Sequence, residues 1–126
     1  MIQRIQTIHL LLSVIVGIVA LVIGISCATP WVKIAWLALV GLGVLLAAWS
    51  IFLFKTRMRQ LSIVNLSTVC HALTGVVLGV ATLTGTAVEW GSVAIFMPLA
   101  AIIFNLLACR RIRFDERLVR SADRLR

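Results

Sequence analysis

Two histidines, three cysteines and a terminal run of arginines are the side chains of this chain with the most reactive chemistry, and their spacing narrows what that chemistry is. Cys27, Cys70 and Cys109 are far apart and odd in number, so neither a disulfide framework nor a Cys-x-x-Cys redox or zinc motif is present, and they read as small apolar residues. Paired histidines in a membrane helical bundle suggest haem. His71, however, lies about 15 Å into its apolar stretch at 1.5 Å per residue, whereas His9 stands at the entrance of another. Two axial ligands need a common depth, so bis-histidine ligation within one copy is not expected; a single-histidine site, or one shared between copies, stays open. No nucleophile–base pair, paired carboxylates or metal-ligand cluster can be named, so no cofactor, metal or enzyme activity is expected.

Two weaker constellations remain. Ser67, His71, Gly75 and Gly79 recur every four residues, which reads as one stripe on a helix: an interhelical seam of the small-x-x-x-small type, or a ligand stripe centred on His71. Ser13, Ser50, Asn65 and Asn105 come from four different apolar stretches at similar depth, and read as one polar layer or as a vestibule open to the cytoplasm.

The elements that position these residues follow from composition. A chain of 126 residues that is 62% hydrophobic and 13% charged is too apolar for a water-soluble fold. Its net charge of +8 would suggest nucleic acid in a soluble protein, but here the charges sit between apolar runs, and nucleic acid is not the expected partner. A spanning helix needs about 20 apolar residues. The runs 8–28, 34–54, 61–83 and 91–109 each approach or exceed that length without Asp, Glu, Lys or Arg. The expected fold is therefore all-α, a polytopic four-transmembrane-helix bundle over residues 1–109 followed by a cytoplasmic basic amphipathic tail at 110–126. Ion-coupled transport is disfavoured, since the spans carry no charged group at membrane depth. Pro98 should bend or locally unwind the last span.

The positive-inside rule places Arg4, the Lys55/Arg57/Arg59 turn and the tail arginines in the cytoplasm and leaves Lys33 alone on the other side. Both termini are then cytoplasmic in a bacterial inner membrane, with Trp31, Trp36 and Trp90 as an aromatic belt at the opposite face. A secretory or lipoprotein signal is the competing reading of the first span, but its apolar run exceeds the usual 7–15 residues. In the tail, Phe114, Leu118, Ala122 and Leu125 fall on one helical side, and Glu116 precedes Arg120 by four, a helix-supporting pair. Arg4, Arg110, Arg111, Arg113, Arg117, Arg120, Arg124 and Arg126 form the basic contact surface, for anionic headgroups or for a cytoplasmic protein or ribosomal RNA surface.

Met1–Ile8 at the start, Asp115-Glu116 with Leu118–Arg126 at the end, and Ile51–Lys55 and Pro98-Leu99-Ala100 between them resemble the small four-helix membrane-protein family of bacteroidete-type bacteria known as domain of unknown function number 4293. His9 and Cys109 depart from that pattern, where tyrosine and asparagine are usual. The resemblance implies an inner-membrane location and four spans and supplies no activity. The expected role is an accessory or interaction subunit of a membrane assembly, binding a protein partner or a second copy. The alternative is a small uncoupled transporter or a lipid- or small-molecule-binding membrane protein.

Overall fold

A computed structural model describes residues 2–26, 29–86 and 91–125, with the side chains of all of these except 2–4 and 91–93. Cys27, Trp90, Arg126 and the side chain of Arg4 lie outside the described residues. Four helices follow in order: α1 (Ile2–Ile25), α2 (Pro30–Phe52), α3 (Arg57–Leu83) and α4 (Gly91–Arg124). All four are long and apolar enough to cross a membrane, and the described residues contain no strand.

The helix ends differ from the apolar runs for local reasons. Pro30 does not separate two spans but opens α2, where a missing N–H is harmless because first-turn donors have no intrahelical partner. Thr29 precedes it in extended conformation and its carbonyl accepts the Lys33 N–H at 3.0 Å. Arg57 and Arg59 likewise belong to the first turn of α3, so the connection after α2 is only Leu53–Thr56. At the other end of α3, Gly85 takes φ +68°. The N–H of Thr86 then reaches Ala81 O at 3.0 Å and that of Gly85 reaches Thr82 O at 3.2 Å, a Schellman closure that needs glycine at the left-handed position.

α4 runs without interruption through Pro98 and across the Cys109/Arg110 boundary. The unwinding expected at Pro98 does not occur, and the tail is not a separate helix but a continuation of the last span. At 1.5 Å per residue α4 is about 50 Å long, well beyond the roughly 30 Å of bilayer hydrocarbon.

Packing follows chain order and closes into a ring, α1 on α2, α2 on α3, α3 on α4 and α4 back on α1. The buried positions explain how. In α1 they are 6, 10, 13, 17, 20 and 24; in α3, 60, 64, 67, 71, 74, 78 and 81, with Cys70 beside them; in α4, 94, 98, 101, 105, 108, 112 and 115, with Cys109 beside them. Steps of four and three alternate throughout, the repeat that keeps one seam of a helix facing its partners in knobs-into-holes packing.

What those positions hold is inverted relative to a soluble bundle. Gln6, Ser13, Ser50, Gln60, Ser67, His71, Thr74, Asn105 and Asp115 are all buried. Large apolar side chains such as Ile15, Leu45, Phe52 and Val76 lie outside. Polar groups inside and aliphatic groups outside suit a hydrocarbon solvent, where the exposed face gains nothing by being polar. This is a multi-pass membrane protein. Trp36 departs from the expected belt. It is fully buried against Gly24, whose missing side chain leaves room for the indole, and its Nε1–H donates to Ala20 O at 2.9 Å. Trp31 does remain exposed.

Candidate functional site

The middle of the bundle carries one polar constellation. Ser67 on α3 donates to the Gly43 carbonyl of α2 at 2.8 Å, and Asn105 Nδ2 on α4 donates to Ser67 Oγ at 3.1 Å. One turn further along α3, His71 is 1% exposed and packs against Gly43. Neither of its ring nitrogens has a partner, nor has Asn105 Oδ1. A neutral imidazole offers one donor and one acceptor, and leaving either unmet in a dry interior costs about 1–3 kcal/mol. This is where a water or small polar molecule would find unmet hydrogen-bonding capacity.

The stripe read from the sequence divides here. Ser67 and His71 face the interior, but Gly75 and Gly79 have no neighbouring atom within 4 Å of where a side chain would begin, so within one copy they form no seam. The reason is geometric: steps of four drift about 40° each around a helix, so 79 stands about 120° from 67. The close-approach glycines are instead Gly17, facing Val44; Gly24, facing Trp36; and Gly43, facing His71.

The polar layer also needs correction. Ser13, Ser50 and Asn105 are fully buried, but Asn65 is exposed, because the buried positions of α3 are Val64 and Ser67. Asn65 Oδ1 accepts instead from Cys109 Sγ at 3.3 Å, while Ser67 takes its place beside Asn105. Ser13 reaches Ala101 O at 3.4 Å across to α4, whereas Ser50 bonds within its own helix, to Ala47 O at 2.6 Å. Cys70 and Cys109 are buried free thiols.

A second constellation, absent from the sequence reading, lies at the end of the bundle that holds the start of α1, the α2–α3 connection and the last part of α4. Gln6 Nε2 donates to Asp115 Oδ2, both residues being buried, and Arg57 Nη1 reaches the Asp115 carbonyl at 3.4 Å. Continuing the repeat 101, 105, 108, 112 by three would have found Asp115.

The arginines surround this end. Glu116 accepts from Arg120 at 2.6 Å, as the spacing implied. Arg110, Arg111, Arg113 and Arg117 have no ion pair among the described residues, and with His9 of α1 and Asn65 of α3 they line an open cavity of about 970 Å³. Leu106, Leu107 and Phe114 supply its apolar wall. Among the described residues no acidic side chain lines it. The apolar tail residues Phe114, Leu118, Val119 and Leu125 are exposed, and the packed face of this part of α4 is Ile112 and Asp115.

Among the described residues no three His, Cys, Asp or Glu side chains converge as a metal site would require. A family model described as Domain of unknown function (DUF4293) matches residues 26–125, which is α2 through the end of α4 and leaves the Met1–Ile8 motif outside the match. No curated protein and no solved structure matches the chain.

Proposed function

We propose that this chain, which belongs to the DUF4293 family, is an accessory subunit of an inner-membrane assembly, its termini cytoplasmic and the end of α4 its docking element for a protein partner. The observation that carries the reading is the continuity of α4. A tail lying flat on the bilayer needs a break where it leaves the last span, and α4 has none between Cys109 and Arg124. The helix instead carries Leu118, Val119 and Leu125 outward in the same direction as the span, exposed and interleaved with Arg117, Arg120 and Arg124. Exposed apolar side chains beyond the uncharged part of the helix, beside exposed arginines, are the composition of a protein-docking helix face. The positive-inside bias of Arg57, Arg59 and the tail supports the cytoplasmic assignment.

The test is co-purification from the native membrane under a tag on the N-terminus. Replacing Leu118 by serine together with Arg120→Gln and Arg124→Gln should release a reproducible second protein while the bundle stays inserted. Unchanged recovery of that protein, or wild type purifying as a lone chain, counts against the reading.

A specific observation favours one narrower alternative, binding of a small polar molecule in the interior: the two unpartnered nitrogens of His71. With Gly75 and Gly79 facing away, that alternative rests on His71, Ser67 and Asn105 alone.

A further inference from the structure

We propose that the arginine-lined cavity on α4 binds the phosphate of an anionic phospholipid drawn from the adjoining leaflet. Its position on the helix comes first. The uncharged part of α4 ends at Cys109, and the cavity straddles that boundary, with Leu106 and Leu107 on one side and Arg110, Arg113 and Arg117 on the other. Leu106, Arg110, Arg113 and Arg117 follow one another by four, three and four, so they form one stripe of the helix with an aliphatic end and a cationic end. That is the order of groups met on passing from acyl chains to headgroup phosphates.

Electrostatics supplies the second argument. Like charges three and four apart on a helix repel, and no acidic side chain among the described residues lines the cavity to pair with them: Asp115 is buried on the packed face of α4 against Gln6, and Glu116 pairs with Arg120. A phosphate diester placed there meets several guanidinium forks, each able to bond two of its oxygens. His9 lines the same cavity from α1, so the site is walled by more than α4 alone. At about 970 Å³ the cavity has room for a headgroup and the first part of the acyl chains, at the upper end of the roughly 300–1,000 Å³ usual for ligand sites. A soluble phosphate would make no use of the aliphatic wall; a lipid does.

The inference does not depend on the docking role of α4, because it concerns the protein by itself. The full chain, purified in detergent, is examined by native mass spectrometry with phosphatidylglycerol and phosphatidylcholine supplied equally. One phosphatidylglycerol should be retained in preference to phosphatidylcholine. Arg110→Gln with Arg113→Gln should lower its retention about tenfold or more, given two arginines near a headgroup, at an unchanged melting curve. Arg120→Gln with Arg124→Gln, which lie beyond the cavity, should retain the lipid. If the first pair fails to fold, Arg111→Gln with Arg117→Gln tests the same wall. Equal retention of both lipids, or undiminished binding by the folded cavity variants, overturns the proposal. Displacement of the lipid by millimolar inorganic phosphate also overturns it, assigning the site to a soluble anion.

Discussion

Gly43 and His71 are fitted to each other across the α2–α3 seam: a Cβ on Gly43 would lie 2.9 Å from Nε2 and 3.0 Å from Cε1 of the imidazole. The ring is therefore seated in the space that the missing side chain leaves. Ser67, one turn earlier, bonds the carbonyl of the same glycine, so α3 is held against α2 by a close approach and a hydrogen bond at one residue.

Gly43→Ala is expected to displace His71 and destabilise the bundle by about 1–3 kcal/mol, the usual cost of overfilling a packed interior. Gly75→Ala and Gly79→Ala meet no atom within 4 Å and should be neutral or stabilising by up to about 1 kcal/mol through helix propensity. Reversible unfolding in mixed micelles, compared across the three variants, checks the contrast. A destabilised Gly79→Ala would mean that this face is covered by another chain.

The Asn105–Ser67 bond joins α4 to α3 in the interior. A double-mutant cycle with Ser67→Ala and Asn105→Ala should give a coupling of about 0.6–2 kcal/mol, the range for interhelical hydrogen bonds in lipid. Asn65→Ala, by contrast, should couple to neither, since Asn65 stands outside the bundle. Coupling indistinguishable from zero for the first pair would remove the bond as a fastening between the helices.

Much of this was legible in the sequence, and the part that was not has one physical origin. Length and hydropathy locate four helices, while Ser67 and His71 read as part of one stripe and Asn105 as part of a separate polar layer, and only the fold joins them through the Asn105–Ser67 bond. Asn65, Gly75, Gly79 and Trp36 lie elsewhere than their spacing implies for one cause: the count of residues gives depth in the membrane but not the rotation of each helix. Depth follows from counting residues, whereas rotation depends on which stripe faces inward, and in lipid the most apolar stripe faces out. Sorting by small and polar residues at alternating steps of four and three would have put Trp36, Gly43 and Asp115 inside and Asn65 outside. The unpaired arginines of the cavity were named as a contact surface, but His9 could join them only once α1 was seen to close the ring on α4.

His71→Phe replaces a ring whose nitrogens have no partner by one of similar shape that needs none. Removing unmet polar groups in favour of apolar ones of like shape is nearly neutral or stabilising. The variant should thus unfold at or above the wild-type denaturant midpoint, while His71→Ala, which empties the site, should lose about 2–5 kcal/mol as other large-to-small interior changes do. If His71→Phe is instead destabilised by more than about 1–3 kcal/mol, the cost its larger ring can incur against Gly43, the imidazole is hydrogen-bonded to a water or ligand in the membrane, and the interior binding alternative gains support over the docking role.

Ending the chain after Glu116 should separate what holds the bundle from what α4 presents. Residues 117–125 are all exposed, so they add little packing, and the Arg120–Glu116 pair, with Arg120 71% exposed, contributes about 0–1 kcal/mol. The buried seam is complete without them, as its last member in α4 is Asp115, bonded to Gln6. The shortened chain is therefore expected to insert, to run as the wild type on size exclusion and to melt within a few degrees of it, yet to recover no partner from native membranes. A truncated chain that still captures the same protein would move the docking surface onto the lipid-facing sides of the bundle. One that fails to fold would show that residues 117–125 stabilise the bundle beyond the packing they make within one copy.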